Sequence, residues 1–393
     1  MNTMQRGIIT LIKSAVTGEK LPLPEGFSLE EAEELIKKQS ILPLAYQGAV
    51  QCGIPRETQA MQRLFQGYVR ILMYHERQMR AVERLFHAFE ENGIDYMPLK
   101  GVNMKTLFPK PELRTMGDAD VLIRQEQYDR IAVLMEQLGY RLTNVDEQVY
   151  TWDSDALHLE LHIAMVQPLS RYYAYYGTGW KFARRDTCCR YRLSVEDEFV
   201  FLFAHFARHY RIGGIGCRHV LDLYVHRRAC PQREEHYIEQ QMEKLNLLEF
   251  YRNMKRVLAV WFENTETDAT VDLITEYIFS GGTFGSEKNR KYYWEVMGII
   301  KAQSTKNSRA KMTVQTIFPP LSYMQRSYPV LRKAPYLLPV MWVVRFVRTL
   351  LFRPASIKRK ADFLSDMRDD DVEFRRRTLE VMGIRFDTDG DVR

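Results

Sequence analysis

The sequence has few cysteines, and their arrangement excludes two classes of small cross-linked protein. The five cysteines are an odd number, and no two of them form a C-x-x-C pair. A disulfide framework and a zinc ribbon are therefore excluded as the basis of the fold, and we expect a reducing compartment. The cysteines are Cys52, Cys188, Cys189, Cys217 and Cys230.

Long apolar runs are also scarce. Residues 1–10 lack an apolar stretch long enough for a signal peptide, so we expect the protein to stay in the cytoplasm. The most apolar stretch, residues 335–352, is broken by Pro339 and contains Arg345 and Arg348. Each arginine would cost about 2.5 to 3.5 kcal/mol at the centre of a bilayer, which argues against a membrane span. Two alternatives stay open for this stretch: a buried helix, or an interfacial helix in weak contact with a membrane surface.

Charge of one sign is not in large excess. The 56 Lys and Arg residues against 50 Asp and Glu residues leave a formal charge of +6, which permits a polyanionic partner without requiring one. With 46% hydrophobic and 27% charged residues, the composition excludes a disordered or fibrous chain. The 393 residues suffice for about two or three packed units.

The apolar pattern divides the chain into three regions. A spacing of three or four residues predicts a long helix over about 57–91, ended by Asn92-Gly93. Short strand-like segments then alternate with helices, and from Ser194 the pattern becomes helical again. We therefore expect an α+β fold with a small mixed sheet between helical regions. The predicted domains are a helical region over 1–92, an α/β domain over 93–193 and a second helical region over 194–393.

Two aspartates lie one strand step apart in the predicted strand 118–123. Positions i and i+2 of a strand face the same way, so Asp118 and Asp120 are expected to project from one face. Their carboxylates repel each other unless a divalent cation such as Mg²⁺ lies between them. A D-x-D pair alone is a weak signal, and the neighbouring residues strengthen it.

Residues suited to phosphate groups flank these aspartates. A strand-like segment over 94–99 runs into Lys100-Gly101 and a helix start, where backbone N–H groups can hold a phosphate. Lys100 adds a point charge. Arg114, four residues before Asp118, has the planar fork that suits a second phosphate.

A third acid lies on a later strand. Alternation with leucines places His158, Glu160 and His162 on one face of that strand. A cation shared with Asp118 and Asp120 explains why an acid is present in so apolar a segment. A zinc ion held by the two histidines and Glu160 stays an open alternative, although the spacing differs from that of H-E-x-x-H proteases.

Together these motifs resemble the uncharacterised nucleotidyltransferase family of the polymerase-beta-like nucleotidyltransferase superfamily. The resemblance covers roughly residues 85–230, and it extends beyond the motifs above into the helical run that contains Ala204–His209 and Gly214–Leu223. The motifs that carry it are Leu99-Lys100-Gly101, Arg114, Gly117-Asp118-Ala119-Asp120 and His158-Leu159-Glu160-Leu161-His162.

The resemblance implies roles for named residues. It assigns Asp118, Asp120 and Glu160 to catalysis and to the binding of Mg²⁺ or Mn²⁺. The residues implied to bind the nucleotide are Lys100, Gly101, Arg114 and Gly117.

Histidines and arginines of the second helical region have two interpretations. His205 and His209 are four residues apart on a predicted helix and share a face. They are either ordinary core-edge residues or part of a cleft in which Arg208 or Arg218 contacts the nucleotide or the acceptor. A helical ion pair with Asp222 also explains Arg218. The candidate cleft residues are His158, His162, His205, His209 and Arg218.

The implied activity is transfer of a nucleoside monophosphate from an NTP, ATP among them, to an acceptor. A sugar, a small molecule, a peptide or protein and an RNA end all stay open as acceptors, and no nucleic-acid-binding module is visible. The alternative is an inactive binding module of the same fold, or an adaptor that uses residues 335–352 at a membrane surface. Three facing carboxylates argue against an inactive site, because they repel one another without a cation.

Overall fold

The protein is described here from a computed structural model. The chain forms two compact units, one mainly from Met1–Ser286 and the other mainly from Glu287–Val381. The domain boundaries at 92/93 and 193/194 stay a prediction. The structure describes residues 1–146, 148–168, 170–283 and 285, and shorter stretches between 318 and 383, of which 330–352 is the longest.

Helices form the first part of the chain. The long predicted helix is confirmed, and it runs unbroken through His75. Helices α1 and α3 lie close together because residue 48 is glycine: a Cβ there would lie 2.0 Å from the Leu11 carbonyl oxygen. The helices are α1 Thr3–Thr17, α2 Leu29–Lys38, α3 Leu42–Cys52 and α4 Gln59–Glu91.

A five-stranded mixed sheet follows, which confirms the predicted α+β class. Its strands are β1 Tyr96–Pro98, β2 Ala119–Ile123, β3 Arg141–Val145, β4 Val149–Asp153 and β5 His158–His162. The strand order is β1-β2-β5-β4-β3. Strands β2 and β5 are parallel, and the other neighbouring pairs are antiparallel. Helix α5, Gly101–Leu107, follows β1, and helix α6, Tyr128–Gln137, follows β2.

The two faces of the sheet differ in character. On one face Leu161 packs in a buried hydrophobic cluster with Phe89 of α4 and Met135 of α6. Side chains alternate along a strand, so Asp120 and Glu160 face the opposite side. The sheet therefore has one apolar face that forms the core and one face that carries polar side chains.

Helices return after the sheet, as the sequence predicts. Ser194 caps the first long one by accepting a hydrogen bond from the Asp197 backbone N–H. Phe203 of this helix packs 5.2 Å, centroid to centroid, from both Phe250 and Tyr251. The elements are α7 Tyr173–Tyr176, the hairpin β6 Arg184–Arg185 and β7 Tyr191–Arg192, α8 Val195–Ile212, α9 Cys217–Ala229, α10 Glu235–Lys244, α11 Leu248–Phe262 and α12 Ala269–Ser280.

The second unit contains α13, Val330–Lys333, and α14, Leu338–Phe352. Helix α14 lies within the apolar stretch 335–352. Large apolar side chains of α14 are exposed, with 57% of Val340, 62% of Val343 and 55% of Phe346 accessible. A helix buried in a protein core would not leave these side chains exposed. In the part of the chain that the structure describes, no helix combines the length and apolarity needed to cross a membrane.

Candidate active site

One cleft contains nearly all the residues that the sequence analysis singled out. It has a volume of about 380 Å³, and its walls come from the polar face of the sheet, the adjoining loops and helices α8 and α9. Of the predicted site residues, His158 does not line it. Those that do are Lys100, Gly101, Arg114, Gly117, Asp118, Asp120, Glu160, His162, His205, His209 and Arg218.

Two carboxylates and a histidine form the centre of the cleft. Asp120 of β2 and Glu160 of β5 are register partners in the parallel strand pair, so their side chains lie next to each other on one face. His162 approaches both, with Nε2 2.9 Å from Asp120 Oδ1 and 3.4 Å from Glu160 Oε2. One ligand atom from each of the three lies within 4.8 Å of the others, a spacing compatible with one metal ion.

Asp118 is placed differently from the prediction. Strand β2 begins at Ala119, so Asp118 lies in the loop before it and is not a strand residue. It lines the same cleft but is not part of the three-residue group that could share one ion. Burial raises the pKa of Asp118, and the negative charges of Asp120 and Glu160 raise it further.

Lys100 supplies a positive charge to this centre. It lies at the start of α5, and its Nζ is 3.3 Å from Asp120 Oδ2 and 3.4 Å from His205 Nδ1. The backbone of Lys100 has φ 33° and ψ −92°, a left-handed conformation that favours glycine.

Opposite charges at the centre of the cleft shift the pKa values of the side chains next to them. Burial would raise the pKa of Asp120, but the Lys100 charge and the His162 hydrogen bond hold it below its usual value. The hydrogen bond with His162 also lowers the pKa of Glu160. Burial opposes the protonated form of His162, yet its contacts with both carboxylates raise its pKa. Lys100 and the His162 imidazole therefore both favour the ionised form of Asp120.

Arg114 binds a carboxylate from a distant part of the chain. Its Nε and Nη2 donate to the two oxygens of Asp222 on α9, at 2.8 and 3.0 Å, and its Nη1 donates to the Gly101 carbonyl at 3.2 Å. Both partners of this ion pair are buried. Asp222, which the sequence analysis offered as a helical partner of Arg218, thus accepts a bidentate pair from Arg114.

The loop that carries Arg114 has two further attachments. Arg218 of α9 donates to the carbonyl and the hydroxyl of Thr115, at 3.0 and 3.2 Å. Lys105 of α5, which is 1% exposed, donates to the carbonyl oxygens of Pro111 and Arg114. Burial and the nearby Arg114 charge lower the pKa of Lys105 to about 7.

Three imidazoles form a cluster on the helical wall of the cleft. The rings of His205 and His209 are 4.3 Å apart, and the ring of His219 on α9 is 6.4 Å from that of His209. Burial lowers the pKa of His205 and of His219, helped by the charges of Lys100 and Arg218. These two rings are therefore neutral near pH 7.

His158 does not join the other predicted ligands. Its Nδ1 pairs with Asp153 Oδ1, and its Nε2 is 4.0 Å from Glu160. The close group is Asp120, Glu160 and His162, so the zinc site suggested for His158, Glu160 and His162 is not assembled. The physical reason is that Asp153, the register partner of His158 on β4, binds its ring instead.

The sequence did not lead us to some of the residues that line the cleft. Thr115 and Tyr172 lie in irregular segments that have no periodic pattern, and Phe201 has the apolar spacing of a core residue. His219 follows Arg218 directly and was within reach of the sequence analysis. The two aromatic residues are nearly buried, and both line the cleft.

Comparison with known proteins identifies the family. The model of a family described as "Uncharacterised nucleotidyltransferase" matches residues 26–263, which is more than half of the chain. No curated protein matches. A solution structure of the antibiotic-resistance factor ANT(2'')-Ia is 12% identical, and the match covers 48% of this chain and 98% of that chain with a TM-score of 0.33. The chain belongs to the uncharacterised nucleotidyltransferase family.

Proposed function

We propose that the protein transfers a nucleoside monophosphate from an NTP to a hydroxyl or similar group of an acceptor. The observation that carries the proposal is that Asp118, Asp120, Glu160 and Lys100 line one cleft in a chain of a nucleotidyltransferase family. In this reaction the acceptor oxygen forms a bond to the α-phosphorus as the bond to pyrophosphate breaks. The acceptor proton passes to a base in the cleft.

The residues present fit a divalent metal ion such as Mg²⁺ or Mn²⁺. Asp120 and Glu160 offer adjacent carboxylates, and Asp118 lines the same cleft. Oxygen ligands of this kind are the ones that Mg²⁺ prefers. Asp120 and Glu160 would hold one ion, and Asp118, which lies outside that group in the same cleft, would help to hold a second. A bound ion would neutralise phosphate charge and lower the pKa of an acceptor hydroxyl.

The start of α5 is proposed to hold the triphosphate. Lys100 Nζ lies beside Asp120, where a phosphate next to the carboxylates would meet a cation. A Cβ on Gly101 would press on the sulfur of Met116 at 3.2 Å and on the Asp118 carbonyl oxygen at 3.3 Å, so glycine lets α5 approach the aspartate loop. Gly117 lies in that loop and lines the cleft, and the space beside its Cα is open, which leaves room for a phosphate near its backbone.

We propose that Arg114 affects nucleotide binding indirectly, by holding Gly101 in place. It lines the cleft, but its guanidinium is bound to Asp222 and to the Gly101 carbonyl in this structure. This arrangement fixes the start of α5 against the loop before β2. Arg114 therefore supports the nucleotide-binding segment.

The wall formed by α8 and α9 is proposed to face the acceptor. Burial and the Lys100 charge, 3.4 Å away, lower the pKa of His205 and disfavour a proton on its ring, so Glu160 is the candidate base. His209 and Arg218 extend this wall, and the acceptor's identity depends on such side chains. Sugars, small molecules, proteins and RNA ends all stay candidates.

The proposal is tested by incubating the full chain with each NTP, radiolabelled at the α-phosphate, and Mg²⁺. Pools of sugars and metabolites, RNA and protein serve as acceptors. We expect label in one acceptor class and loss of that label in Asp118→Asn/Asp120→Asn. A matched control, Asp129→Asn/Asp155→Asn, removes the same charge from exposed positions outside the cleft. Equal labelling by wild type and the cleft variant would contradict the proposal.

A second candidate function is supported by α14. Its exposed valine and phenylalanine side chains, together with the exposed Arg348, suit an adaptor that lies at an anionic membrane surface. Cosedimentation with phosphatidylserine vesicles tests it. We expect binding by wild type and loss in Val343→Asp/Phe346→Asp, and equal pelleting of both proteins would reject this role.

We also propose that the protein acts in the cytoplasm, peripheral to the membrane if α14 binds vesicles. The odd number of cysteines and the lack of a C-x-x-C pair support a reducing compartment.

A further inference from the structure

Two adjacent cysteines lie in the turn between β6 and β7, far along the chain from the candidate active-site acids. Neighbouring side chains on a strand point to opposite faces, so adjacent cysteines normally diverge. Here the turn brings Cys188 Sγ to 3.4 Å from Cys189 Sγ. The turn is closed by hydrogen bonds from the backbone N–H groups of Asp186 and Thr187 to the Arg190 carbonyl.

A carboxylate completes the cluster. Glu90, in the last turn of α4, accepts a hydrogen bond from Cys188 Sγ at 2.7 Å. Glu90 is itself oriented by the hydroxyls of Thr187 and Tyr96, at 2.5 and 3.3 Å. Such outer hydrogen bonds fix the direction of a ligating carboxylate in metal sites. The last turn of a helix also carries partial negative charge, which favours a cation.

The distances suit a tetrahedral ion. One ligand atom each from Glu90, Cys188 and Cys189 lies within 4.8 Å of the other two. A Zn–S bond of about 2.3 Å in tetrahedral geometry places two sulfurs about 3.8 Å apart, close to the separation present here. A disulfide would need the sulfurs at about 2.0 Å, a much larger change.

We propose that Cys188, Cys189 and Glu90 form a binding site for Zn²⁺, separate from the carboxylate site of the cleft. Two sulfur ligands and one carboxylate select a thiophilic cation over Mg²⁺. On binding, the two thiol protons leave to solvent and two Zn–S bonds form, with water in the remaining position. The proposal goes beyond the nucleotidyl-transfer function and does not depend on it.

The bound ion would join three parts of the first unit. Cys189 accepts a hydrogen bond at its carbonyl from the Tyr96 N–H, at 3.0 Å, at the start of β1. Glu90 belongs to α4, and Cys188 to the β6–β7 turn. A metal ion at this point therefore fastens the turn to α4 and β1, and β1 leads directly to Lys100.

The test uses Co²⁺ as a spectroscopic probe, added to the full, reduced chain without nucleotide. Thiolate ligation produces a sulfur-to-cobalt charge-transfer band, which the cleft group of Asp120, Glu160 and His162 cannot produce. We expect one equivalent to give the band and Zn²⁺ to abolish it. Cys188→Ser and Cys189→Ser should each weaken binding at least about 100-fold, and Glu90→Gln about 10-fold or more.

A matched control keeps the result specific. Cys52→Ser/Cys230→Ser removes thiols elsewhere in the chain and should leave the band unchanged. Zn²⁺ should raise the Tm of wild type and of this control but not of Cys188→Ser, and circular dichroism confirms that each variant is folded. Absence of the band in the reduced wild type, or its persistence in Cys188→Ser/Cys189→Ser, would overturn the proposal. Neither outcome bears on NTP binding.

Discussion

Lys100 keeps a strained backbone at the point where the proposed reaction needs its charge. Its φ of 33° and ψ of −92° lie where a residue with a Cβ pays a cost of order 1 to 3 kcal/mol. Its Nζ nevertheless lies beside Asp120 in the cleft. Glycine would suit the backbone better, so the side chain explains the choice of lysine.

Two substitutions at this position separate charge from strain. Lys100→Ala removes the charge and keeps the strain, whereas Lys100→Gly removes both. We expect both variants to lose transfer activity and the glycine variant to be more stable than the alanine variant by about 1 kcal/mol. Urea unfolding checks this difference. Equal stabilities would show that the backbone here is not strained.

The lowered pKa of Lys105 predicts that the free energy of unfolding depends on pH. Its pKa is about 7 in the folded protein and 10.5 in the unfolded chain. Between these values the unfolded chain binds a proton that the folded protein does not, so the free energy of unfolding rises with pH. Relative to Lys105→Met, wild type should gain up to about 1.4 kcal/mol per pH unit in this window. Urea unfolding of both proteins near pH 7 and near pH 9 tests this, and parallel pH dependences would contradict it.

The sequence predicted the acids but not all their partners. Alternation alone placed Glu160 on the polar face of β5, since its neighbours are leucines. The partner of Arg114 was not predictable from spacing, because Asp222 is 108 residues away and the pair depends on how α9 packs. The start of β2 was predicted one residue early, so Asp118 lies in the loop before the strand, although it lines the same cleft as Asp120.

At the scale of elements, the buried ion pair between Arg114 and Asp222 joins α9 to the loop before β2. Removing one partner leaves a buried charge without compensation, which costs about 3 to 5 kcal/mol. We therefore expect Asp222→Asn to destabilise the protein by about 3 kcal/mol and to weaken NTP binding, because Arg114 then loses its fixed position. Thermal and urea unfolding measure the first effect, and calorimetry measures the second.

A partly exposed ion pair that also involves α9 provides the control. Arg227 of α9 has its Nη1 3.6 Å from Oε1 of Glu263, which follows α11. Arg227→Gln should cost less than about 1 kcal/mol. A similarly small cost for Asp222→Asn would contradict the assignment of a buried, structurally important pair.

The spacing of apolar residues identified helix α4 and the alternating strand β5. It also identified strand β2, which is buried along its whole length. Helix α1 lies in the helical region predicted over 1–92, but its own start and end were not predicted, although Asn2 and Gln5 form a capping box at its start. The signal was present in the sequence, because Thr3, Arg6, Thr10 and Thr17 recur along one side of the helix while the apolar residues from Ile8 to Val16 are buried.

At the scale of the whole molecule, the cleft depends on contacts between distant segments. Its lining runs from Lys100 to Asp222 and includes loop, strand and helix residues. The family resemblance indicated which acids belong together. The histidine cluster and the positions of Tyr172 and Phe201 follow from tertiary packing, which spacing along one sequence does not determine.

The central claim is that Asp118 and Asp120 bind an NTP through a divalent metal ion. The most direct measurement is isothermal titration calorimetry of each NTP into the full chain, in Mg²⁺ and in EDTA. Wild type is compared with Asp118→Asn/Asp120→Asn, with circular dichroism to show that both are folded. The account predicts that an NTP binds wild type in Mg²⁺ and that this binding is lost in EDTA and in the variant. Binding that needs neither metal nor aspartates, or no binding of any NTP to folded wild type, would contradict it.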